Sequence, residues 1–242
     1  MPRGVPDDIE QEEMKILAIE TSTMLGGLAV MDGRAGLVVE VRVNVEVAHS
    51  ERLMTELDHA LRSAGLAVND MDALAVSTGP GSFTGLRIGL STVKGLSYAT
   101  GLPVVAVPTL EAFAWCFPYS PYPVCPMLDA RKKEVYAGVF RRDGEEMKRL
   151  LPERSLKPRE LALELKGYER VVLAGEGAML YTEELSEVLG EGALYAPAHL
   201  RVPSPSAVAY LGLKKALKGE FSDPAAVSPF YIRKSEAELK RP

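Results

Sequence analysis

The residues with most chemical potential lie in the loop Gly79-Pro80-Gly81-Ser82-Phe83-Thr84-Gly85, between a strand-like run and a helix-like one. Free backbone N–H groups at such a helix entry can hold an anion. The loop lacks the Gly-Lys-Ser/Thr ending of a phosphate loop, and the dinucleotide pattern fails at Thr84. Ser82 has Pro80 and Thr84 two residues to either side, where a nucleophile elbow needs glycines. The favoured reading is a tight strand-to-helix turn whose glycines let backbones approach closely, with Phe83 and Arg87 partly exposed. There is no His-Glu-x-x-His, and His49 has no second imidazole one helical turn away. His49 therefore reads as a helix-entry or interface residue. Cys116 and Cys125 show no zinc spacing and read as packing thiols of a reducing, cytoplasmic compartment.

A core must position these groups, and 242 residues with 47% hydrophobic content can build one. A net charge of −5 argues against a large basic surface that grips nucleic acid unaided. No apolar run reaches the roughly 18 residues of a membrane span, so no membrane association is expected. Residues 1–13 read as a flexible acidic extension. KILAIETS (15–22) reads as a central strand, with LAVMD (28–32) and GLVVEVRVNV (36–45) as a following meander. A helix is predicted from Ser50 to Ala64, a strand over 73–77, a helix after Gly85, a strand over 103–107 and a helix over 109–117. A similar order restarts after FPYSPYP (117–123), with strands over 123–130, 134–140 and 145–151, then helix 158–165, strand 170–175 and helix 177–189. A helix over 204–219 precedes an extended PFYIR tail. The expectation is α/β, with duplicated β-β-β-α-β-α lobes over 14–117 and 118–242 and the second smaller and degenerate.

The helix after Gly85 is the oddest element, because only Arg87, Ser91, Lys94 and Tyr98 form a polar stripe. A helix that apolar must be covered on two sides. One cover is its own sheet. Periodicity leaves open whether the other is the helix at 50–64 or a second protein, for which Gly85, Gly89 and Gly95 would leave room.

The early hairpin ending in acid-Thr-Ser, followed by a repeat of the same topology, resembles the actin/sugar-kinase/Hsp70 architecture, which is ribonuclease H-like. Within it, ILAIETS, AHSERLM, STGPGSFTGLRIGLSTVKGL, DARKKEVYAGVF and PFYIR resemble the TsaB (YeaZ) family. The resemblance implies a catalytically silent subunit that acts in forming N6-threonylcarbamoyladenosine in tRNA. Its partner would be the transferase TsaD, or a second copy of itself, met through the two first-lobe helices. The interface would then include His49, Met54, Leu57, Phe83, Arg87, Leu90, Val93, Lys94 and Ser97. TsaE, the ATPase of that complex, and tRNA would be met through the assembly.

The same resemblance marks departures. Where the transferase carries a metal-holding His-x-x-x-His, this chain reads His49-Ser50-Glu51-Arg52-Leu53. Relatives of this architecture end the first strand with an aspartate that holds Mg²⁺-bound water; here Glu20 stands there, followed by Thr21 and Ser22. Asp129 is the counterpart in the second lobe, and VVLAGEGA (171–178) resembles an altered adenosine-binding turn. The expectation is a degenerate nucleotide pocket of Glu20, Thr21, Ser22 and Asp129, no catalytic residue, no metal and no cofactor. Two rivals remain: an ATP-dependent enzyme of this architecture, which would need Glu20, Asp129 and the VVLAGEGA turn, and a metallopeptidase-like protein, which would bind zinc or iron.

Overall fold

The structure, a computed structural model, describes residues 13–44 and 49–233, with backbone alone for Asn44 and residues 49–51. The expected extension thus lies outside the described residues except for Glu13. The described residues fall into two compact units, one reaching Thr109 and resuming over Ser204–Pro229, the other spanning Leu110–Pro203 and resuming at Phe230.

In the first unit, strands β1 (Lys15–Glu20), β2 (Leu25–Asp32) and β3 (Gly36–Asn44) form the predicted meander. Helix α1 (His49–Ser63) leads to β4 (Ala73–Gly79), α2 (Phe83–Thr100) and β5 (Val104–Pro108). The sheet order is β3-β2-β1-β4-β5, with β1 antiparallel to β2 and parallel to β4. Strands β1 and β4 are buried along nearly their whole length, which explains their almost unbroken apolar sequence. Leu17, Ile19, Leu28, Val30, Leu74 and Val76 make a core with Leu53, Leu57, Ala60 and Leu61 of α1 and with Leu90 and Val93 of α2.

Helix α3 (Thr109–Ala114) opens the second unit. Strands β6 (Val124–Asp129), β7 (Val135–Asp143) and β8 (Glu146–Leu156), helix α4 (Pro158–Leu165) and strand β9 (Val171–Ala174) follow. Helices α5 (Glu176–Leu180) and α6 (Thr182–Leu189) and strand β10 (Ala193–Tyr195) complete it. The order β8-β7-β6-β9-β10 repeats that of the first sheet, so the duplication is a structural fact. The helix expected over 177–189 is two helices that meet at Tyr181. The short third strand is instead the long edge strand β8, where Pro152 is tolerated because an edge needs fewer ladder donors.

The last helix, α7 (Pro205–Leu217), corrects the expected division into 14–117 and 118–242, because it belongs to the first unit. It covers the face of the first sheet opposite α1 and α2. A Cβ on Gly212 would lie 2.6 Å from the Cβ of Ala75 and 3.2 Å from Cδ1 of Ile16, so the missing side chain permits the approach. Without α7 that sheet face would meet water. Among the described residues no helix is long and apolar enough to cross a membrane.

Candidate functional site

The end of β1 and the start of α2 are built as one piece. Thr21 donates its hydroxyl to the carbonyl of Gly85 at 2.8 Å, and Ser82 donates its N–H to the carbonyl of Ser22 at 2.7 Å. A Cβ on Gly81 would stand 2.5 Å from that Ser22 oxygen, and one on Gly89 2.3 Å from Oγ1 of Thr21. Ser82 caps α2 by accepting the N–H of Gly85 at 3.3 Å, and Gly101 closes the helix at φ +75. The glycine loop is thus a tight turn pressed onto the Thr21-Ser22 turn, and its closest approaches are to this chain's own backbone.

Glu20, Thr21 and Ser22 are all buried by this seal, Glu20 completely. Oε1 of Glu20 accepts the N–H of Ser22 at 2.5 Å, while Oε2 and the Ser22 hydroxyl are buried without a partner. Burial pushes the Glu20 carboxyl above the ordinary carboxylate range, eased in part by the nearby polar groups of Ser22 and Ser77. A carboxylate that holds a cation or its water must be ionised and accessible. Glu20 is completely buried and its burial disfavours the charged form, so the turn as built does not present a carboxylate to a nucleotide-bound Mg²⁺.

In the second unit, Asp129 accepts the N–H of Arg131 at 2.8 Å and pairs with its guanidinium at 3.2 Å. Arg131, Lys132 and Lys133 follow at φ +62, +52 and +60, a left-handed run that no glycine announces. Glu176 has its pKa raised by burial, with the Asp129 charge adding to the rise and the Asp129 N–H opposing it. Gly175 sits at φ +119, and a Cβ there would lie 2.0 Å from the carbonyl of Met127. Among the described residues no group of three or more His, Cys, Asp or Glu is placed to hold a metal ion.

The two first-unit helices require a correction. Leu57, Leu90, Val93 and Ser97 are buried in the chain itself, at 3%, 3%, 0% and 5% exposure. The sheet and α1 supply both covers of the apolar side of α2, so these residues are not available to a partner. Gly85 and Gly89 serve the contact with Thr21, and Gly95 alone of the three opens onto empty space. The outward face of α2 carries Thr84, Arg87, Ser91, Gly95 and Tyr98, and Tyr98 is 95% exposed. Phe83 and Lys94 are half-buried at its rim, and Lys94 donates to the carbonyl of Ala225 at 3.3 Å. On α1, Met54 is 44% exposed, and the side chain of His49 lies outside the described residues. The polar stripe of α2 was legible in the sequence, and Gly95 was read as room for a second protein, but Tyr98 was not read as part of that surface.

Comparison with known proteins follows the same lines. A family profile described as tRNA N6-adenosine threonylcarbamoyltransferase (TsaD) matches residues 43–241. The tRNA threonylcarbamoyladenosine biosynthesis protein TsaB of Bacillus subtilis is 31% identical over 94% of this chain and 97% of its own length. The tRNA N6-adenosine threonylcarbamoyltransferase of Geotalea uraniireducens is 36% identical over 41% of this chain and 33% of its own. Among solved structures, YeaZ from Pseudomonas aeruginosa superposes with a TM-score of 0.78 at 27% identity, covering 90% of this chain and 99% of that one.

Proposed function

This chain belongs to the TsaB family of tRNA threonylcarbamoyladenosine biosynthesis proteins, and from that premise we propose that it is a non-catalytic subunit which binds the transferase TsaD through the outward faces of α1 and α2. The observation that carries the reading is the face itself: Tyr98 stands almost wholly in solvent beside the open Gly95, with Met54 exposed on the neighbouring helix. A large aromatic ring held out by a rigid helix next to a side-chain-free position suits a partner helix packed close. The kinship with a transferase of the same pathway supplies the partner's class. Leu53 occupies the place of the transferase's second imidazole and is buried in the core, and Glu20 is sealed. Both favour a bracing role over a chemical one. Held in that complex, the chain would steady the transferase and contribute to the surface met by tRNA and by the ATPase TsaE. A second copy could use the same face when the transferase is scarce.

The test is co-purification with the transferase of the same organism, followed by mass measurement. Tyr98→Arg and Gly95→Arg should abolish the complex while leaving the circular dichroism spectrum unchanged and the melting temperature no lower than the parent's. A complex that survives both substitutions refutes the assigned face. Leu90→Glu is not a fair probe, because it places a charge in this chain's own core.

A further inference from the structure

We propose that Tyr119 and Tyr122 of the second unit, each backed by an arginine, form a platform on which unpaired bases of an RNA strand stack. The inference rests on the chain's place among proteins of tRNA modification and names an RNA-facing surface for it. The run FPYSPYP between α3 and β6 holds both rings. Pro118, Pro121 and Pro123 stiffen it. Ser120 ties it off: its hydroxyl donates to the carbonyl of Tyr122 at 2.7 Å and accepts the Tyr122 N–H at 3.2 Å. Tyr122 is half-buried, while Tyr119 stands 86% exposed, a large ring that the core does not use.

Sheet register delivers the arginines. Val124 of β6 pairs with Phe140 of β7 on one side and with Val172 of β9 on the other. Two residues on, at one end of the sheet, the same register reaches Arg142, Tyr122 and Arg170. The Arg142 guanidinium lies 5.1 Å from the centre of the Tyr119 ring, and that of Arg170 lies 5.7 Å from the centre of the Tyr122 ring. The β7–β8 turn braces Arg142, whose Nε donates to the carbonyl of Gly144 at 2.8 Å and whose Nη2 donates to Glu145 at 3.3 Å. Arg142 and Arg170 are separated by one strand, so the two pairs stand about 10 Å apart, within reach of one short RNA strand.

The pairing of ring and guanidinium selects the occupant. An arginine resting on a ring uses its flat face there and keeps in-plane N–H groups for a phosphate. A single strand answers both halves, with bases on the rings and phosphates on the arginines. An apolar partner would cover the rings but desolvate the guanidinium heads without pairing them. A duplex keeps its base faces stacked inside and has none to offer. The net charge of −5 argues against binding led by charge, and stacking is the mode that least requires it.

Fluorescence anisotropy of a labelled single-stranded RNA of about 12 nucleotides, titrated with the full chain at low salt, tests the platform. Saturable binding is expected, with a Kd between about 10 and 500 µM. Tyr119→Ala should weaken it about fivefold or more, the loss of one stacked base, while Tyr119→Phe keeps a ring and should stay within about twofold of the parent. The log–log salt slope should lie near about −1.4, the value for two phosphates on a single strand, and Arg170→Gln should roughly halve it. Duplex RNA of the same length should bind about tenfold more weakly or worse. Tyr98→Arg, on the face proposed for the transferase, should leave RNA binding unchanged, so the two assignments fail separately. No binding up to about 1 mM, equal affinity for single strand and duplex, or a Tyr119→Ala protein that binds like the parent overturns the proposal. So does Tyr119-dependent binding of a proline-rich peptide by a chain that leaves RNA unbound.

Discussion

A Cβ on Gly85 would lie 1.9 Å from the carbonyl oxygen of Thr21, and the Thr21 hydroxyl in turn donates to the carbonyl of Gly85 at 2.8 Å. The two residues are 64 positions apart, yet neither backbone can move without the other. This contact fixes the first turn of α2 against the end of β1 and so sets the direction of the helix that carries Tyr98. It is the close backbone approach that the sequence reading of the loop as a tight strand-to-helix turn expects.

The same helix therefore holds glycines of opposite meaning. Gly85→Ala forces backbone apart and should cost at least about 2–3 kcal/mol, as overpacked sites do. Gly95→Ala meets nothing within 4 Å and should stabilise the helix by about 0.5–1 kcal/mol. Urea unfolding of the two variants beside the parent separates them. Equal effects of the two would show that the approach at Thr21 is not structural.

Glu20 should make stability depend on pH in the direction opposite to most carboxylates. Its folded-state pKa is raised by burial, so the stability tied to its neutral form is present below the ordinary carboxylate pKa. It is lost as pH rises through the raised value. Glu20→Gln keeps the shape and removes the charge. The parent's melting temperature should fall on going from about pH 5 to about pH 8 by more than that of the variant. Parallel curves for the two proteins would mean the carboxyl is already ionised in the fold.

The fold was legible because its signals were local. Unbroken apolar runs at 15–20 and 73–79 are strands covered on both faces, and the single stripe of α1 has one cover. The site was less legible, because its two decisive contacts are long-range. Nothing near Gly89 in sequence announces Thr21, and nothing near Ala207 or Gly212 announces that α7 returns to the first sheet. Counting apolar positions on α2 gave the right amount of cover and left its supplier open, and the resemblance pointed to a second protein. Leu90 and Val93 are satisfied by α1 and the sheet of the same chain. The left-handed run at Arg131, Lys132 and Lys133 was invisible because no glycine marks it.

Core and surface of α2 should separate cleanly by mutation. Leu90→Ala empties a site 3% exposed and should cost about 2–5 kcal/mol. Tyr98→Ala, at 95% exposure, should change stability by no more than about 0.5 kcal/mol. On the proposed function the ranking reverses for association with the transferase, where Tyr98→Ala weakens the complex without any loss of fold. Isothermal titration calorimetry, with chemical denaturation of the same samples, reads both. A Tyr98→Ala protein that binds as tightly as the parent would show that the ring serves some other contact.

The start of α7 is capped from a different element. Ser204 occupies the N-cap position but gives its own hydroxyl to Glu40 at 2.7 Å, and Glu40 accepts the Ser206 N–H at 3.1 Å. A carboxylate from β3 thus takes over from the cap residue and stands at the positive end of the helix. Burial alone would raise the Glu40 pKa, but the Ser204 hydroxyl, the Arg42 guanidinium and the Ser206 N–H together hold it below the usual carboxylate range. Its contribution is therefore present above the ordinary pKa and lost as pH falls through the lowered one. Glu40→Ala should cost about 1–2 kcal/mol at neutral pH, and the deficit should shrink as the solution is acidified past the carboxylate range. Ser204→Ala should cost less, because Arg42 and the Ser206 N–H still hold the carboxylate. If both variants lose the same stability at every pH, the helix is held by the packing of Gly212 on Ala75 alone and the carboxylate is incidental.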